Sequence, residues 1–175
     1  MDELSLGLLI SLLTIATWHD VRSHRIPNML IITGWVAGLL LSAWLNGLTG
    51  IISAIEGSAV GLAVLLPFYL MRTMGAGDVK LMAAVGVFLG PTDVLMATLG
   101  TFIAGGVIAL AVAAYTGMLA RLFQNIKLMI FGTVVKMSAG QAPLMNDLPT
   151  SVGKLPYAVA ISAGTLGYLS WKTLR

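Results

Sequence analysis

Residues 4–19 read LSLGLLISLLTIATWH, and Asp20 follows at once. An apolar run of this length is either a membrane helix or the core of a secretory signal. The second reading fails on its flanks: Asp2 and Glu3 stand where a signal carries basic residues, and His19-Asp20 stands where it carries a small-residue cleavage site. The run predicts a retained helix with a carboxylate at its end.

The rest of the chain has the same character. Of its 175 residues 58% are hydrophobic and 10% charged, with a mean hydropathy of +0.94, whereas soluble domains carry about 25% charged residues. A chain this short is read as a single domain, residues 1–175. The breaks in apolarity fall at charges, Gly or Pro and leave segments at 4–19, 28–45, 51–71, 79–92, 94–118 and 155–171. The fold class is therefore all-α: a polytopic membrane bundle of about six transmembrane helices. The segment 79–92 is the weakest span, because 14 residues rise only ~21 Å against a ~30 Å hydrocarbon core.

Between 119 and 154 the chain is too polar, and too broken by Gly140, Pro143 and Pro149, to cross. Leu122, Ile126, Met129, Ile130, Val134 and Met137 form a helical stripe there, which reads equally well as an interfacial helix on the cytoplasmic face or as a core-facing helix.

If six segments cross, Arg22, Arg25, Arg72, Lys80, Arg121, Lys127, Lys136 and Lys154 share one side, and only Lys172 and Arg175 lie on the other. The excess of basic residues makes the first side cytoplasmic. Ten basic residues placed between apolar runs are a topology signal rather than a nucleic-acid surface. The absence of cysteine excludes a thiol nucleophile and a thiolate metal cluster. His19 and His24, five apart, lack helical metal-ligand spacing, so no metal and no cofactor is expected. Gly-x-Ser-x-Gly is absent, which removes the usual serine-hydrolase signature.

The acidic residues point to the chemistry. Asp20 ends the first segment and Asp78 begins the fourth. An even number of crossings separates them, so two carboxylates 58 positions apart (78 − 20) fall on the same side at similar depth. A close pair of that kind holds one proton between two groups, because two like charges a few Å apart cannot both ionise. One carboxylate then serves as base while the other serves as acid. Asp147, in a Pro-rich turn, is the remaining acidic residue able to join them. Each Asp alone also reads as a helix cap. Asp78 follows Gly75-Ala76-Gly77, a pair of glycines that permits close approach of backbone.

The run Gly75-Ala76-Gly77-Asp78-Val79-Lys80-Leu81-Met82, with Asp20 followed by Ile26-Pro27-Asn28 and a late Lys154-Leu155-Pro156-Tyr157-Ala158-Val159-Ala160, resembles the type IV prepilin peptidases over nearly the whole chain. The resemblance implies an aspartic endopeptidase of the bacterial inner membrane. In it Asp20 and Asp78 form the catalytic pair, and Gly75 and Gly77 belong to its GxGD motif. Leader peptides of prepilins or pseudopilins are cut at the cytoplasmic face. Such a substrate carries a basic leader followed by an apolar helix, and the partners implied are that substrate, the lipid bilayer and pilus assembly machinery. The bifunctional members carry a methyltransferase region with cysteine motifs. The cysteine-free chain resembles instead the short peptidase-only form found with Flp, or tight-adherence, pili. Lys80 and Arg72 are candidates for contact with an acidic residue of the substrate. Outside this resemblance the same charges would serve a small transporter or a structural subunit of a pilus or secretion system.

Overall fold

The computed structural model describes residues 2–71, 73–117 and 156–174. Arg72, Asp147 and the predicted interfacial helix lie outside the described residues. The described elements are all helical: α1 (Glu3–Ser23), α2 (Asn28–Leu70), α3 (Ala76–Leu89), α4 (Pro91–Tyr115) and α5 (Tyr157–Thr173). The chain divides into two compact units, one made of Met1–Gly105 with Pro156–Arg175 and the other of Gly106–Leu155. In the second unit α4 runs on to Tyr115 and ends in a turn at Gly117, whose φ is 68°.

In the first unit, the range of α2 holds two helices that meet at a sharp bend at Gly47. Gly47 sits at φ 59°, ψ −139°, a backbone region that a side chain would strain. Trp35 Nε1 donates to Ser58 Oγ at 2.8 Å, although 23 residues of straight helix would hold them about 35 Å apart. Residues 28–46 and 48–70 are thus antiparallel arms. Ser42 Oγ, which donates to the Gly50 carbonyl at 2.9 Å, fastens them near the bend.

The remaining contacts set the direction of every segment. On the second arm, Gly57 meets Gly86 of α3 and Gly61 meets Met82, so α3 runs antiparallel to that arm. α4 runs parallel to the same arm, with Gly61 against Val94 and the Phe68 ring tilted against that of Phe102 at 5.1 Å between centroids. α5 returns along α4, Gly164 against Gly100 and Tyr168 OH donating to Asp93 Oδ1 at 2.8 Å. Lys172 pairs with the other oxygen of Asp93. α1 lies antiparallel to both the first arm, through Leu12 and Gly34, and α5, through Thr17 and Ser162. Six alternately directed segments result. Asp20, Asn28, Asp78 and Ala158 share one end, and Gly47, Gly90, Asp93 and Lys172 lie towards the other.

Three helices, α1, α2 and α4, are long and apolar enough to cross a membrane. That corrects the expected six transmembrane helices. Two of the expected spans, 28–45 and 51–71, fall within the single range of α2 on either side of Gly47, and α3 with 14 residues and α5 with 17 fall short of a ~30 Å core at 1.5 Å per residue. α3 is short because protein rather than lipid surrounds it: from Asp78 to Leu89 every residue except Lys80 and Phe88 is buried. The surface facing away from the core is apolar instead, with Trp44 86% and Ile103 71% exposed, as expected of a bundle solvated by hydrocarbon.

Packing of α3 rests on glycine. A Cβ added to Gly86 would lie 2.1 Å from the Gly57 carbonyl oxygen, whereas one added to Gly7 meets nothing within 4 Å. Gly86→Ala is expected to cost about 1–3 kcal/mol through overpacking, while Gly7→Ala is neutral or gains up to ~1 kcal/mol of helix propensity. Thermal unfolding in detergent, followed by circular dichroism, measures both.

Candidate active site

Asp20 occupies the last turn of α1 and is 6% exposed. That end of α1 is the negative end of its dipole, a poor place for a carboxylate. The start of α5 offsets this. Pro156 precedes α5, and the backbone N–H of Ala158, one of the helix's first unpaired donors, gives a hydrogen bond of 2.9 Å to Asp20 Oδ2. The neighbouring turn is held by Thr17, whose hydroxyl lies 2.7 Å from that of Ser162.

Asp78 is the third residue of α3 and 8% exposed. Its Oδ2 accepts from the N–H of Gly75 at 3.1 Å, and its own N–H donates to the Gly75 carbonyl at 3.2 Å. The first of these bonds is one half of a capping box, the half a glycine at the N-cap can make. The two glycines of the motif act differently. A Cβ on Gly75 would stand 3.1 Å from Asp78 Oδ2 and crowd the carboxylate, whereas one on Gly77 would make ordinary contact with Ile26 at 3.4 Å.

The two carboxylates therefore come from separate helices, are buried at the same end of the bundle, and each accept an N–H from the start of a helix. Asp78 lies outside the three apolar spans. Its burial, and next the charge of Asp20, raise its pKa from 3.8 to about 6, while the bond from Gly75 pulls the other way. Such a pair can hold a proton on one member and offer the other as a base.

Lys80, exposed two residues further on, donates through Nζ to Asn28 Oδ1 at 3.1 Å. Among the described residues it has no carboxylate partner. Two partners went unread in the sequence. Asn28 stands out in the sequence only as the end of Ile26-Pro27-Asn28. The Ala158 N–H is a backbone group 138 positions from Asp20, for which no side-chain pattern signals; the one hint was Pro156, a helix-start residue topologically on the Asp20 side. Among the described residues no group of three His, Asp or Glu could hold a metal.

The model of the type IV leader peptidase family matches residues 7–110, a range that contains Asp20, Gly75, Gly77, Asp78 and Lys80. Ala158 and α5 lie beyond it. No curated protein and no solved structure matches the chain.

Because Asp20 contributes to the raised pKa of Asp78, Asp20→Asn is expected to lower it without restoring 3.8, since burial remains the larger cause. The protonated-carboxyl band in infrared difference spectra, followed against pH, measures the change. A midpoint left at about 6 would mean that the two groups do not interact.

Proposed function

The chain belongs to the type IV leader peptidase family, and on that premise we propose that it is an aspartic endopeptidase with Asp20 and Asp78 as its catalytic pair. The observation that carries this reading is the burial of two carboxylates at one end of the bundle, each held by a backbone N–H. Asp78, whose pKa is raised to about 6, is assigned the proton of the pair in the reactive state. Asp20 serves as the base and takes a proton from a water molecule as the water's oxygen attacks the scissile carbonyl, and Asp78 gives its proton to the carbonyl oxygen. The tetrahedral intermediate then collapses. Its C–N bond breaks, the leaving amine receives the proton taken up by Asp20, and a hydroxyl proton of the intermediate returns to Asp78. Bound reactants and backbone donors set in place before reaction supply orientation.

The substrates are leader-bearing prepilins or pseudopilins of the Flp type, cut at the cytoplasmic face of a bacterial inner membrane. Support for the side comes from charge: Arg22, Arg25 and Lys80 flank the Asp20 and Asp78 end, and Lys172 stands near the other. The alternating segments form one membrane-embedded peptidase domain, with the pair at its cytoplasmic margin. With no cysteine to hold a methyltransferase zinc site, the activity is peptidase alone. Lys80, fixed by Asn28 and lacking a carboxylate partner among the described residues, is the contact for an acidic residue of the substrate, and Arg72 is a second candidate.

Coexpression with prepilins, read as a mobility shift, tests the reading. Asp20→Asn and Asp78→Asn are each expected to lower cleavage at least ~1000-fold; persistence in either variant removes that residue from the pair. Lys80→Met is expected to raise KM more than it lowers kcat, and unchanged kinetics would dismiss it as a contact.

A further inference from the structure

Tyr157 borders both carboxylates, and its side chain bonds to neither. It is the first residue of α5, and the peptide that links it to Ala158 carries the N–H donated to Asp20 Oδ2 at 2.9 Å. α5 also packs against α3, and the charge of Asp78 acts on the Tyr157 phenol. One residue thus has its backbone at Asp20 and its side chain within the field of Asp78.

The ring is seated while its hydroxyl is left open. Tyr157 is partly buried against the core, with Cε1 3.8 Å from the place a Cβ would take on Gly105 of α4. Among the described residues the hydroxyl makes no hydrogen bond, although a buried phenol O–H usually finds a partner. Tyr168, further along the same helix, has one in Asp93. Three donors near the pair are already committed: Gly75 N–H to Asp78, Ala158 N–H to Asp20 and Lys80 Nζ to Asn28. The phenol is the side-chain donor beside the pair that remains to be used.

We propose that the Tyr157 hydroxyl donates a hydrogen bond to the scissile carbonyl oxygen. The inference rests on the peptidase reading above and adds a third group to its chemistry. A carbonyl attacked by water between two carboxylates lies in the space they share, and Tyr157 borders that space. As the carbonyl carbon becomes tetrahedral, negative charge gathers on its oxygen, and a donor set in place beforehand stabilises that charge more than it stabilises the bound substrate. The phenol keeps its proton throughout, and the proton that the oxygen receives is the one from Asp78. A neutral donor suits the position, since a cation there would favour ionisation of both carboxylates.

The test removes one hydroxyl at a time from the full chain. Tyr157→Phe keeps the ring and its packing and is expected to lower kcat for prepilin cleavage about 100-fold, as for loss of one such donor, with KM nearly unchanged. Tyr168→Phe, which takes a hydroxyl from the far end of the same helix, is expected to leave kcat nearly unchanged. A second measurement does not depend on turnover. In the Asp20→Asn chain, expected to bind prepilin without cutting it, a carbon-13 label on the scissile carbonyl gives an infrared band, and adding Tyr157→Phe is expected to move that band to higher frequency. An unchanged kcat in Tyr157→Phe, equal losses in the two Phe variants, or a band that stays in place would overturn the proposal. Failure of the peptidase reading looks different: the unsubstituted chain would not cleave prepilin at all.

Discussion

Gly57 and Gly86 stand so close that a Cβ on either would fall 2.1 Å from the other's carbonyl oxygen. In hydrocarbon, apolar side chains gain little by leaving lipid for one another, so close backbone approach is a main source of helix association. This contact draws α3 against the second arm of α2, where protein encloses it on nearly every side. Asp78 is carried into the bundle on that helix. The same device recurs between Gly100 and Gly164, where it fixes α5 on α4.

Position of α5 matters for a second reason. A carboxylate at the C-terminal end of α1, with little access to water, needs a donor. The first turn of α5 provides one at Ala158, while the first turn of α3 provides another to Asp78 through Gly75. Neither carboxylate is held by a cation among the described residues. That suits acid–base chemistry, since a firm ion pair would fix a carboxylate in its charged form. Packing of glycines, starts of helices and placement of protons are thus one linked arrangement.

Much of this was legible in the sequence, because membrane helices announce themselves by apolar length and topology follows by alternation. Alternation of direction between Asp20 and Asp78 was enough to expect both at one end, and the directions of α1, the two arms of α2 and α3 place them there. The count of membrane-crossing helices was less legible. Gly47 joins two helices at a sharp bend with no break in apolar character, and an enclosed helix such as α3 needs neither the length nor the lipid-facing surface of a span. Long-range backbone partners were not legible at all. The Ala158 N–H carries no residue-type signal, and its meeting with Asp20 follows only once α1 and α5 are packed antiparallel.

The central claim is that the bundle brings Asp20 and Asp78 together, and a chain without cysteine offers a clean background for testing it. The measurement is intramolecular crosslinking of an Asp20→Cys, Asp78→Cys double variant by a short thiol reagent in membranes, beside an Asp20→Cys, Asp93→Cys control that spans the two ends. The account predicts efficient crosslinking of the first pair and none of the second. A first pair that stays unlinked in a folded protein, or a control that links as well, would contradict it.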